Sequence, residues 1–197
     1  MTEIQGRCEY HFQLRLFGGS ARNSSGLALG GVLERLPGVL SINYLLDGDL
    51  SHVLWPAPAN QNFLRKHELW RQTCFEIFFG IPGDSAYWEM NLCPNGCWNL
   101  YHFTGYRRGM QEEAVVDRLT SHVGREGCRF HLSCRMDMHK LVPDYRKLEV
   151  GIAVVVFDTK GTETYWAIDH LANKPDFHNR RCFKAVLSEV AGESCLR

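Results

Sequence analysis

The chain has 197 residues, 45% of them hydrophobic, and its 22 basic and 22 acidic side chains leave no formal net charge at pH 7. That length fits one domain with its own core, and the balanced charge excludes nucleic acid or an anionic membrane as a partner held by bulk electrostatics. No run of about 18 apolar residues offers a membrane span. The opening MTEIQGRCEYHF lacks the basic and apolar segments of a signal peptide, so a cytoplasmic protein is expected.

Taken in order, residues 8–17 alternate, with Cys8, Tyr10, Phe12, Leu14 and Leu16 inward, as in a half-buried strand. The Gly/Ser-rich residues 18–31 read as a loop. Residues 40–46 read as a strand, Asp47-Gly48-Asp49 as a tight turn and 50–55 as the returning strand. Residues 56–68 form a further loop. Residues 73–79 are almost all apolar or β-favouring, with Glu76 in the middle.

Residues 86–93 and 97–103 alternate strictly around Pro94-Asn95-Gly96, a three-residue hairpin loop. Closing it at Cys93 and Cys97 pairs Trp88 with His102, Met90 with Leu100, Leu92 with Trp98, Tyr87 with Phe103, Glu89 with Tyr101 and Asn91 with Asn99. One face is then apolar and suited to the core. The other carries Glu89, Asn91, Asn99 and Tyr101 between aromatic ends, and is either a solvated face or a binding face. An antiparallel return of residues 80–85 brings Glu76 beside Glu89. Two adjacent acids require a cation, a shared proton or a polar ligand; an arginine such as Arg71 or Arg107 is the structural alternative.

Residues 104–127 read as a loop with a short helix near 112–119. Residues 128–136 and 148–157 read as strands, the latter central because of its valine run. A turn at 158–161, a strand at 164–170, a long loop containing Lys174, Asp176 and His178, and a short last element at 184–190 complete the chain. Many strands and almost no helix predict an all-β fold, a two-sheet antiparallel β-sandwich, as a single domain over 1–197.

The eight cysteines contain no CxxC pair. They read as small hydrophobes in a reducing compartment, and neither a zinc site nor a Cys93–Cys97 disulfide is expected. His170 and His178, eight apart in sequence, lack a third ligand nearby.

The ordered blocks LWRQTCFEIFFG, YWEMNLCPNGCWNLYHFTGYRRGM and YWAIDHLANKPDFH resemble the DOMON-like β-sandwich proteins related to family-nine carbohydrate-binding modules. The resemblance spans about 40–183. It implies an immunoglobulin- or jelly-roll-like sandwich with a ligand site on a sheet face or its rim, with two tryptophans clamping a sugar and a Glu binding its hydroxyls. Trp70, Glu76 and Trp166 stand at the matching places. Where relatives carry an Arg on the next strand, this chain has Glu89 or a neighbour. Other relatives bind haem through Met and His, and Met90, Met110, His102 and His170 are available for that.

Each of these residues also has a plain structural role open to it. Trp70 either caps the core or stacks on a ligand, and Trp166 is divided in the same way. Lys174 and His178 either rim the site or pin their loop. The expectation is a non-catalytic saccharide-binding module with no cofactor or metal, built on Trp70, Glu76, Glu89, Asn91, Tyr101, Trp166, His170, Lys174 and His178. The alternatives are a haem-binding electron-transfer domain and a glycoside hydrolase using Glu76 and Glu89.

Overall fold

The computed structural model describes residues 6–19, 26–57 and 64–190. Parts of the two predicted loops at 18–31 and 56–68, and Cys195, lie outside them. The described strands, in chain order, are β1 (Cys8–Gln13), β2 (Arg15–Leu16), β3 (Ala28–Leu36), β4 (Val39–Asp47), β5 (Cys74–Gly80), β6 (Tyr87–Leu92) and β7 (Trp98–Phe103). They continue with β8 (Gln111–Glu112), β9 (Thr120–Glu126), β10 (Arg129–Asp137), β11 (Leu148–Phe157), β12 (Glu163–Ala167) and β13 (Ala185–Leu187). Two antiparallel sheets result: a five-stranded sheet in the order β1-β3-β4-β10-β9, and an eight-stranded sheet in the order β2-β12-β11-β5-β6-β7-β8, with β13 paired to β11. This is the expected sandwich. No helix among the described residues is long and apolar enough to cross a membrane.

Alternation drives the packing. Phe75, Ile77 and Phe79 of β5, Met90 and Leu92 of β6, Trp98 and Leu100 of β7, and Ile152 and Val154 of β11 face Leu33, Ile42, Leu46, Phe130 and Leu132 of the smaller sheet. Phe75 stacks on Phe130 with centroids 5.5 Å apart, and the Tyr44 hydroxyl crosses between the sheets to donate to the Glu76 carbonyl at 2.8 Å. The hairpin has the predicted register, from Tyr87 opposite Phe103 to Leu92 opposite Trp98. Its loop closes with Gly96 N–H on the Cys93 carbonyl at 2.9 Å, and the φ of +87° at Gly96 explains the glycine.

Several local expectations fail. The single strand over 8–17 is two, and they join different sheets: β1 pairs with β3, whereas β2 pairs with β12. Ala28–Gly31 begins β3 rather than ending a loop. Leu50–Trp55 is not a return strand; a 3-10 turn, Leu50–His52, is capped by the Asp49 side chain. Residues 112–119 contain no helix, and β9 occupies part of the supposed loop. The cause of these last two failures is shared. Tertiary pairing with β7 and β10 decides the backbone where local pattern is weak.

The two outer faces differ. On the smaller sheet, β10 alternates exposed or half-buried with buried residues, as a solvated face does. On the larger sheet, β5 is buried throughout. Three connections roof it: residues 64–72, residues 104–113 and a strap over 168–183. The strap seats because the sheet beneath is shaved down. Ala153 lies opposite Ala167, and a Cβ on Gly151 would come within 2.8 Å of the Phe183 ring. Arg180 fastens the strap by donating to the Ile81 carbonyl, the Ala86 carbonyl and Glu149, at 3.0, 3.0 and 3.1 Å.

Candidate functional site

Cross-strand rows on the roofed face carry the polar groups. One row runs Ala167, Ala153, Glu76, Asn91, Asn99 across β12, β11, β5, β6 and β7. The next runs Gly151, Phe78, Glu89, Tyr101, Glu112. Glu76 is therefore a direct neighbour of Asn91 and a diagonal neighbour of Glu89 on one face. Glu76, Glu89, Asn91 and Asn99 are all buried, so this is not a solvated face.

Between the roof segments a cavity of about 580 Å³ opens onto Glu76 and Glu89. That lies within the usual range for small-molecule sites. Trp70 and Arg71 enter from a 3-10 turn just before β5. Phe103, Arg107 and Met110 come from the end of β7 and the loop after it; Pro175, Phe177 and His178 come from the strap. Val155, Glu163 and Tyr165 complete it from β11 and β12. Among the described residues, Glu68 and Arg107 are the two non-glycine residues with positive φ, at 56° and 52°. One immediately precedes the turn that presents Trp70, and the other lines the cavity. Backbone strain of this kind collects at functional sites.

The polar groups form an ordered network. Asn91 donates its amide to Glu89 Oε1 at 2.7 Å. The Tyr87 hydroxyl accepts from the Arg107 N–H at 3.2 Å and donates to His178 Nδ1 at 2.7 Å. By that assignment the ring proton sits on Nε2, which faces Glu89 Oε2 at 3.6 Å. Burial holds His178 neutral and pushes its pKa down to about 4, with Arg107 adding to the shift. Burial pushes Glu89 up to about 7. Burial, and then the neighbouring Glu89, push Glu76 well above the usual carboxylate range. Oε1 of Glu76 has no hydrogen-bond partner among the described residues.

Asp176 latches two walls together. It accepts from Tyr106 Oη at 3.0 Å and Arg107 Nη2 at 3.1 Å, and so ties the β7–β8 loop to the strap. Arg71 is held by Glu68 at 2.9 Å.

Of the sequence-predicted site residues, Trp70, Glu76, Glu89 and His178 meet at the cavity. Asn91 lies beneath it as support for Glu89. Tyr101 is buried behind Trp70, with ring centroids 5.8 Å apart, and bonds Asn99. Lys174 is exposed on the strap beside the lining residue Pro175. His170 contacts Phe17 and the Arg15 carbonyl at 2.8 Å, outside the lining.

Trp166 is a correction. It is 3% exposed within the core between the sheets, with Nε1 on Thr164 Oγ1 at 3.1 Å. The β12 aromatic side chain facing the cavity is Tyr165, because neighbours in a strand point to opposite faces. Sequence reasoning also missed Phe177 and assigned Arg107 only a structural part. The PDFH segment around Pro175 and the aromatic face next to Trp166 were the signals that could have found the two aromatic residues.

The histidines and methionines available for haem are dispersed. Met90 is in the inter-sheet core, His102 packs against Trp88 at 5.2 Å, and Met110 is at the cavity rim. Among the described residues no group of three or more His, Cys, Asp or Glu could hold a metal ion, and Cys93 and Cys97 are free thiols.

No family model matches the sequence, and no curated protein matches it. Solved structures match the fold. The chain is similar to a "putative carbohydrate-binding protein" from Bacteroides uniformis, with a TM-score of 0.66 at 10% identity over 89% of this chain and 84% of that one. It is also similar to a family-nine carbohydrate-binding module from Caldicellulosiruptor kristjanssonii in complex with cellotriose, with a TM-score of 0.55 at 11% identity over 95% and 86%. A module from the same organism in complex with glucose gives 0.50 at 9% identity over 91% and 84%. At these identities the likeness is one of fold.

Proposed function

We propose that the protein is a non-catalytic module that binds a saccharide in the cavity over the outer face of its larger sheet. One observation carries this reading: the buried Glu76 carboxyl has an oxygen without a partner among the described residues and lines a cavity bounded by aromatic rings. A buried polar group left unpaired costs about 1–3 kcal/mol, and a ligand hydroxyl removes that cost. Sugar rings present hydroxyls at their edges and C–H groups on their faces. Glu76 and Glu89 suit the edges, and Trp70, Tyr165 and Phe177 suit the faces.

The neighbouring structures support the same class of ligand, since two of them are named as complexes with cellotriose and glucose. In this chain the aromatic partner of Trp70 is drawn from Tyr165 and Phe177, not from a second tryptophan. Titration calorimetry against a panel of mono- and oligosaccharides tests the proposal. Binding by the unmodified protein and its loss in Trp70→Ala are expected. A folded protein that binds none of the panel overturns the reading.

A further inference from the structure

The cavity lining is electrostatically lopsided. Its cations are Arg71 and Arg107, and each is engaged by an acid outside the lining: Glu68 at 2.9 Å and Asp176 at 3.1 Å. Its acids are Glu76, Glu89 and Glu163. None of these has a lysine or arginine within ion-pair distance among the described residues; Glu89 has only His178, at 3.6 Å. Glu76 and Glu89 are 3% and 4% exposed, so solvent screens them weakly.

We propose that the saccharide this cavity selects carries a free, protonated amine, as a glucosamine unit does. The inference rests on the saccharide reading above and specifies the ligand of that same site. Burial keeps protons on the two neighbouring acids in the empty cavity; a neutral sugar satisfies the lone pairs of the floor but brings no counter-charge that would let them ionise. An ammonium group supplies both. It donates hydrogen bonds to the Glu76 carboxyl, one oxygen of which lacks a partner among the described residues, and to Glu89, whose Oε1 already has Asn91.

The walls suit the same group, because Trp70, Phe103, Tyr165 and Phe177 line the cavity and the face of an aromatic ring attracts a cation. Arg107 is near enough to pull the pKa values of Glu76 and Glu89 down. Burial outweighs it at both, so the existing cation does not satisfy the floor.

Calorimetric titration of the unmodified protein at neutral pH, with an oligosaccharide of glucosamine and its N-acetylated counterpart of equal length, decides the matter. The free amine should bind at least about tenfold more tightly, the worth of one charged hydrogen bond. That preference should shrink several-fold in Glu89→Gln and with added salt. Equal or tighter binding of the N-acetylated form overturns the inference and leaves saccharide binding standing. Failure of both sugars, and of neutral glucans as well, overturns the saccharide reading itself.

Discussion

Glu76 and Asn91 stand opposite each other on adjacent strands, yet the Asn91 amide goes along its own strand to Glu89 Oε1 at 2.7 Å. The asparagine thereby serves one of two neighbouring acids, and the other is left with an oxygen that has no partner among the described residues. This choice separates their roles. Glu89 is the supported carboxyl, and on the proposed reading Glu76 is the one that meets the ligand.

Removing that support should be visible in the ionisation of Glu89. The Asn91 hydrogen bond pulls the Glu89 pKa down against the burial that raises it. Asn91→Leu should therefore move Glu89 above its value of about 7. Carbon-detected NMR titration of the labelled side-chain carboxyls reads the shift, and an unchanged or lower value rejects the assigned role.

The pH dependence of stability separates Glu89 from His178, because their shifts act with opposite sign. The Glu89 pKa rises from 4.5 to about 7 on folding, so the native state holds a proton that the unfolded chain has lost. Its contribution is intact below pH 4.5 and is lost as pH rises through that window, by about 3 kcal/mol. The His178 pKa falls from 6.5 to about 4, so its contribution is intact above 6.5 and is lost as pH falls toward 4. Relative to the unmodified protein, Glu89→Gln should lose stability less steeply with rising pH between about 4.5 and 7. His178→Gln should lose it more steeply between about 4 and 6.5. Denaturant midpoints across pH measure both slopes, and slopes of the reverse order contradict the network.

The hairpin core makes a conventional prediction. Trp98 is 2% exposed in the inter-sheet core, and the Arg65 guanidinium lies 4.5 Å from its ring. Trp98→Ala should cost about 3–5 kcal/mol. Urea denaturation reads this directly, and a loss below about 1 kcal/mol would place the ring outside the core.

The limits of the sequence are clearest on β12. Trp166 and Tyr165 are neighbours in a strand that is covered on both faces, and both are aromatic. Alternation then shows that they point apart but not which one faces the core. Likeness to a clamp favours Trp166, but packing turns Trp166 into the inter-sheet core and Tyr165 toward the cavity. The hairpin was legible because Pro94-Asn95-Gly96 fixes its register locally, and with it the faces of Glu89, Asn91, Trp98 and Tyr101. Arg107 was legible only as a candidate partner for the acids. Its loop gains meaning from the Asp176 latch, across 69 residues of chain, and no local pattern encodes such a contact.

That latch carries its own prediction. Asp176→Ala frees Tyr106 and Arg107 from the strap, so the cavity wall is no longer held in one arrangement. Saccharide affinity should fall several-fold, chiefly through faster dissociation, with little change in melting temperature. Surface plasmon resonance with a bound saccharide separates the rates. Unaltered dissociation shows the latch to be irrelevant to binding.

The most direct test of the account is titration calorimetry on Glu76→Gln beside the unmodified protein, with melting temperatures measured on both. Gln keeps the shape of Glu and cannot ionise when a ligand binds. If Glu76 accepts hydrogen bonds from the ligand, each charged bond lost costs about 1.5–3 kcal/mol, so affinity should fall roughly tenfold or more. The melting temperature should hold, because Gln keeps the shape and removes an ionisable group that burial and the neighbouring Glu89 both disfavour in its charged form. Unchanged saccharide binding together with a large fall in melting temperature would show Glu76 to be a structural residue and contradict the account.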